Sequence, residues 1–153
     1  MKRFFFVILS LLAFKQSLPG QESRLYLELG GSAGLGSVNF ERTFVQGERG
    51  ALAWRVGLSG FYGDASTGFS FIVPLVLYYY HGEGPHKVEI GLGQGVTLGL
   101  KGGIFFQTIP ILGYRWQPED RKLFLRFTYT PLVSYLVDFQ WRHWFGISIG
   151  TRL

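Results

Sequence analysis

The residues able to carry polar chemistry are few in this chain. There are three histidines, His81, His86 and His143, and no cysteine. Without cysteine there is no thiol nucleophile, thiolate metal site or disulfide scaffold. His143 follows Ser134 and Asp138, so a nucleophile, a base and an orienting acid of the hydrolase type occur within ten residues. His81 and His86 flank a Gly/Pro turn; without a close carboxylate pair they make a weak metal site, and solvated turn histidines are the simpler reading. The glycine runs at 30–34 and 91–95 would need a helix after them to cradle a phosphate, and no helical pattern follows either. Neither catalysis nor a cofactor is therefore expected.

The other polar candidates are charges embedded in alternating sequence. Glu28, Glu41, Arg55, Glu89, Arg115, Arg126 and Arg152 each occupy the polar face of a segment whose other face is apolar. Alternation with period two is the mark of a β-strand with different surroundings on its two sides. In 147–153, Ile147, Ile149, Thr151 and Leu153 oppose Ser148, Gly150 and Arg152. In 87–100, Val88, Ile90, Leu92, Val96 and Leu98 alternate with Glu89, Gly91, Gly93, Gly95, Thr97 and Gly99.

Eight such strands are expected, at 24–33, 37–44, 51–62, 69–80, 87–100, 106–116, 122–132 and 144–153, separated by Gly, Pro and Asp signals. The fourth is apolar on both faces, so alternation does not orient it. Pro74 within it marks a bulge or a weak ladder. The connection at 134–142 is the longest, and it carries Trp141, Arg142 and, just beyond, Trp144. An interfacial anchor or a contact with a protein partner would use such residues. Phe44, Trp54, Tyr80, Tyr114, Trp116 and Tyr135 also lie near strand ends, as interfacial girdles require.

Strands of this length approach the 9–11 residues that cross a bilayer at a tilt. No segment after the N-terminus is apolar over 18 or more residues, as a membrane-spanning helix would be. The expected fold is all-β: an eight-stranded antiparallel up-and-down transmembrane β-barrel following an N-terminal signal peptide. Residues 1–20 are read as the signal peptide, with Lys2 and Arg3 before an 11-residue apolar run over 4–14, and residues 21–153 as the barrel. Removing 1–20 leaves 12 Lys/Arg against 10 Asp/Glu, and the formal charge falls from +5 to +2. No basic run then remains to suggest a nucleic-acid partner. The last strand should close the barrel by pairing antiparallel with the first.

Several motifs, in order, bear on family. They are Tyr26-Leu-Glu-Leu-Gly-Gly, Val38-Asn-Phe-Glu-Arg, Trp54-Arg-Val-Gly, Val73-Pro-Leu, Lys87-Val-Glu-Ile-Gly-Leu-Gly, Leu112-Gly-Tyr-Arg-Trp-Gln-Pro, Arg126-Phe-Thr-Tyr-Thr-Pro-Leu and Trp144-Phe-Gly-Ile-Ser-Ile-Gly. This series resembles the small, mostly uncharacterised outer-membrane β-barrel proteins of Bacteroidota-type bacteria. The resemblance implies an outer-membrane location and an export signal, with membrane lipid and the barrel-assembly machinery as partners. It implies no reaction. Lipid A deacylases are similar in length and strand count, but their His-x-Ser element is missing, because Trp144 and Phe145 follow His143.

In an eight-stranded barrel the interior is only wide enough for side chains. The seven charges should therefore pair there, at one depth in the periplasmic half, as a structural ionic plug; a gate or proton path is the sharper alternative. The glycines of 87–100 would leave room for long arginines or let the strand bend. A monomer with a structural or interaction role is expected. The rivals are a soluble periplasmic lipocalin-like barrel holding an apolar ligand and an outer-membrane lipid-modifying enzyme.

Overall fold

The structure is a computed structural model that describes residues 22–62, 68–134 and 140–153, without the side chains of Ser134 and Gln140. The expected signal peptide, 1–20, lies outside the described residues. Strands β1 (Ser23–Gly30), β2 (Gly36–Gln46), β3 (Gly50–Tyr62), β4 (Phe69–His81), β5 (His86–Gly99) and β6 (Ile104–Trp116) follow one another as antiparallel neighbours. β7 (Leu123–Tyr129) pairs with β6, and β10 (Phe145–Arg152) pairs with both β7 and β1. The β1–β10 ladder runs from Arg24 opposite Arg152 to Gly30 opposite Gly146. That ladder closes the sheet into an eight-stranded antiparallel barrel, so neither the first nor the last strand is a bare edge.

The eight expected strands are present, with adjustments that have local causes. The first stops at Gly30, and Gly31–Ala33 forms a 3-10 turn whose three residues are all buried. Gly31 has φ +72°, and a Cβ there would stand 2.6 Å from Glu28 Oε1. Only glycine lets the chain turn inward so close to that carboxylate. β2 carries an irregularity between Thr43 and Val45 that leaves Phe44 without a ladder partner.

The seventh strand continues beyond Tyr129 as β8 (Leu132–Ser134), and the eighth starts early as β9 (Gln140–Arg142). β8 and β9 pair, Leu132 with Arg142 and Val133 with Trp141, so the long connection is in part a hairpin. β6 pairs with β7 as far as Leu112–Tyr129 and with β8 again at Thr108–Val133. The same register sets Pro110 opposite Pro131. Neither proline has an N–H to give, which accounts for the break between β7 and β8. Pro110 also sits mid-strand, because β6 begins at Ile104, two residues before the expected start.

β4 takes the orientation that alternation could not assign. Ser70, Ile72, Val76, Tyr78 and Tyr80 are buried, while Phe71, Leu75, Leu77 and Tyr79 are exposed. Tyr80 therefore belongs to the lumen and to no girdle. Pro74 does not end the strand. It leaves a gap in the β3–β4 ladder between Val56–Leu75 and Ser59–Ile72, while β4 stays paired to β5 through Pro74 and Gly95.

Inside and outside are reversed relative to a water-soluble barrel. Leu27, Leu29, Ile90 and Leu92 are 57%, 72%, 63% and 60% exposed. Arg24, Arg55, Arg115 and Arg126 are wholly buried. The lumen divides into an apolar strip, made by Ala51, Ala53, Val76, Ile109 and Ile111 with Tyr78 and Tyr80, and the charges beside it. The turns after β2, β4 and β6 share a mouth with the start of β1; this is called the N-terminal mouth below.

Candidate functional site

The site is built by strand parity. Residues of β1, β2, β3, β5, β6 and β7 that alternate with the apolar outer face project into one narrow space. Glu28 comes from β1, Glu41 from β2, Arg55 from β3, Glu89 from β5, Arg115 from β6 and Arg126 from β7, and each is at most 1% exposed. Arg24 of β1 joins them, along with the phenols of Tyr26, Tyr78 and Tyr80.

The contacts form one connected path. Arg24 Nη1 donates to Glu41 Oε1 at 2.7 Å and to Thr43 Oγ1 at 3.1 Å. Arg115 forks onto the same carboxylate, with Nη1–Oε1 2.8 Å and Nη2–Oε2 3.0 Å. Arg115 Nη2 also reaches Glu89 Oε2 at 3.2 Å, and the other Glu89 oxygen accepts from Arg126 Nε. Arg126 Nη1 donates to the Tyr26 hydroxyl at 2.8 Å, and Arg55 Nη1 donates to that same hydroxyl at 3.0 Å. Arg55 Nη1 lies 3.2 Å from Glu28 Oε1, and Glu28 Oε2 accepts from the Ser32 hydroxyl at 3.0 Å. The path thus starts near Glu22, which pairs with Arg24 at the N-terminal mouth, and ends on the inward 3-10 turn.

Its arrangement answers a packing problem. Arg115 and Arg126 face each other directly across the β6–β7 ladder, a like-charge pair that repels unless something intervenes. Glu89 intervenes, one oxygen to each. Gly113 makes room for it, since a Cβ there would stand 2.6 Å from Glu89 Oε1. The guanidinium faces are covered by rings: Arg115 lies 4.9 Å from the Tyr80 centroid and 5.2 Å from that of Phe124, and Arg126 lies 5.3 Å from that of Tyr78. Stacked and forked arginines fill the narrow lumen with little freedom left in their side chains. Among the described residues the fully buried charged groups are four arginines and three glutamates, and Glu22 at the mouth supplies the fourth carboxylate.

With Arg24 included, the buried path extends along the lumen: Arg24 and Glu28 lie four residues apart on β1, about 10 Å along a tilted barrel axis. Two expectations need correction. Arg152 is outside the buried path. It comes from the last residue of β10, its side chain is 20% exposed, and its guanidinium donates to the carbonyls of Pro118 (3.1 Å), Glu119 (2.9 Å) and Arg121. It therefore ties down the β6–β7 turn, with Glu22 3.8 Å away. The space left by the β5 glycines is not taken by arginines from across the barrel. A Cβ on Gly91 would stand 2.6 Å from Tyr78 Cβ, and one on Gly93 2.5 Å from Val76 Cγ2, both on the adjacent β4. Those glycines let β4 and β5 approach closely.

Arg24, Tyr26, Tyr78 and Tyr80 were missing from the expected set. Arg24 shares parity with Tyr26 and Glu28, so the signal was present at the first residues of β1. The tyrosines of β4 could have been assigned inward from Ser70, the one small polar residue on their face.

The outer candidates separate. Trp141 is 48% exposed, with its ring edge-on to His143 at 6.4 Å. Arg142 is exposed on β9 opposite Leu132. Trp144 is half-buried and donates from Nε1 to the Gly34 carbonyl at 3.3 Å, which braces the β1–β2 connection. Each histidine stacks on an outward tyrosine and bonds it through Nδ1: His81 with Tyr79 (3.1 Å), His86 with Tyr114 (2.5 Å) and His143 with Tyr129 (2.6 Å). The Ser134 side chain and Asp138 lie outside the described residues. Among the described residues no three His, Asp or Glu side chains gather as metal ligands.

An antiparallel eight-stranded barrel with apolar side chains outside and a salt-bridged lumen is thus the class that fold and site define. The chain is similar to the crystal structure of the N-terminal β-barrel domain of Pseudomonas aeruginosa OprF, at 14% identity and a TM-score of 0.53, with 87% of this chain and 96% of that one covered. At that identity the likeness bears on the fold. No protein-family model and no curated protein matches the chain.

Proposed function

We propose that the protein is an outer-membrane β-barrel, exported by its N-terminal segment, whose role is structural or interaction-based and whose lumen is sealed by the ionic path. The carrying observation is the reversed polarity. Leucine, isoleucine, valine and phenylalanine side chains cover the outside, and every fully buried arginine has a carboxylate partner inside. On β5 the outward face from Val88 to Leu98 covers ten residue steps, about 33 Å of strand. A tilt of about 40° reduces that to about 25 Å, the height of the apolar band on bacterial barrels. The outward polar pair within this band satisfies itself, with Thr108 Oγ1 3.2 Å from Gln94 Oε1.

The likeness to an outer-membrane domain supports the same reading, as does the motif resemblance to Bacteroidota-type barrels. A lipocalin-like carrier would need the opposite arrangement, an apolar lumen inside a polar shell. The lumen that would hold an apolar ligand is occupied by Arg55, Arg115 and Arg126. We read the chain as having no catalytic role, with His143 bonded to Tyr129 as part of an outward Tyr–His pair.

Fractionation tests the proposal. The protein should be recovered with the outer membrane and migrate faster in gels without boiling than after it, as closed barrels do. Recovery in the soluble periplasm would refute it.

A further inference from the structure

We propose that a polar basin at the N-terminal mouth binds a small oxyanion, a carboxylate or a phosphate group, with Lys87 as its principal counter-charge. The basin has a volume of about 290 Å³ and is lined by Glu22, Arg24, Lys87, Gln117, Glu119 and Arg152 among others. It would hold about ten waters, or one small metabolite. It opens where the ionic path begins, and Arg24 forms part of its wall.

Lys87 is the exception in the charge pattern. It has the parity of Glu89, so it belongs to the lumen side of β5, and it is half-buried. Each buried arginine contacts a carboxylate, and Arg152 is held by three carbonyls with Glu22 beyond. The Lys87 side chain has no hydrogen bond or ion pair among the described residues.

The acids of the basin do not neutralise it. Glu22 is shared between Arg24 and Arg152. Glu119 is exposed at the rim and forms no ion pair among the described residues. The residue directly opposite Lys87 on β6 is Arg115, whose guanidinium is already paired with Glu41 and Glu89, so no carboxylate of that path is left over for Lys87. An inward cation without a carboxylate, in a concave polar site walled by two arginines, is complementary to an anion. The half-open setting limits the strength, because water screens one side.

The test uses the full chain, purified in detergent micelles at constant ionic strength and titrated separately with acetate and inorganic phosphate. Side-chain NMR of the lysines gives the readout. The Lys87 signal should shift saturably with at least one anion, with a dissociation constant on the order of millimolar. Preference for acetate assigns a carboxylate ligand, and preference for phosphate a phosphate ligand; either supports the site. Lys87→Gln should weaken binding about tenfold or more, followed for that variant by the amide signal of Gln117, Lys87→Arg should retain it, and Lys101→Gln at the opposite mouth should leave it unchanged. Heat-modifiable migration of each variant shows that the barrel is closed, so loss of binding is not loss of fold. No saturable shift with either anion, or undiminished binding in Lys87→Gln, would overturn the proposal.

Discussion

Glu89→Gln should lower the melting temperature of the barrel in detergent by on the order of 10 °C or more, while the barrel still assembles. Glu89 is 1% exposed and is, among the described residues, the only carboxylate between Arg115 and Arg126, which face one another across a ladder. Glutamine keeps the shape and loses the charge. Arg126 would then have no carboxylate within contact, although Arg115 keeps its fork on Glu41. Removing one partner of a buried pair costs about 3–5 kcal/mol, because the remaining charge stays out of water and unpaired. Adding Arg126→Met removes that stranded charge, and the double variant should recover much of the loss, since a hydrophobic replacement of a buried pair is often neutral. Thermal unfolding followed by circular dichroism or by the gel-mobility shift reads both variants. An unchanged melting temperature for Glu89→Gln would show that the path does not hold the lumen together.

The second large effect is expected three residues further along the same strand, on the opposite face. Leu92 is 60% exposed near the midpoint of β5. If that face meets lipid, Leu92→Arg should destabilise the barrel in phospholipid vesicles by about 2–4 kcal/mol, the cost of a cation near the bilayer midplane. Leu98→Arg, close to the strand end, should cost at most about 1 kcal/mol. Urea titration of vesicle-inserted protein measures both. A soluble barrel would show no such gradient, because an exposed leucine replaced by arginine in water changes little. Equal costs at Leu92 and Leu98 would therefore count against membrane burial.

The strands were legible because a barrel wall has two unlike faces at every position. Wherever one face was small or charged, as at Glu89-Ile90-Gly91-Leu92, parity assigned both sides correctly. It failed to orient β4, where Val76, Tyr78 and Tyr80 turn inward to join the apolar strip and the two tyrosine rings cover the guanidiniums. Parity is silent when both environments accept the same residue type. Who pairs with whom was not legible either. Glu41 is directly opposite Arg24 on β1 and Arg55 on β3 in register, yet it bonds Arg24 and, across the lumen, Arg115, while Arg55 turns to Glu28 and Tyr26. The stagger of strands around a closed barrel decides those partners, and it has no local signature in sequence. The inward 3-10 turn depended on positive φ at Gly30 and Gly31, which a glycine run permits without demanding. Arg152 carries the expected parity but comes from the strand's last residue, so it caps the carbonyls of a turn.

Spin labelling of β5 measures whether the outward face of this barrel lies in lipid. The chain has no cysteine, so single-cysteine variants can be labelled without background. Val88→Cys, Ile90→Cys and Leu92→Cys, each labelled and inserted into phospholipid vesicles, would be compared for collision with oxygen, which concentrates in lipid, and with a water-soluble nickel chelate. High oxygen accessibility and low chelate accessibility are expected at all three, with the contrast greatest at Leu92. Ready access of the nickel chelate to Leu92 would place that face in water and rule out a membrane-embedded barrel.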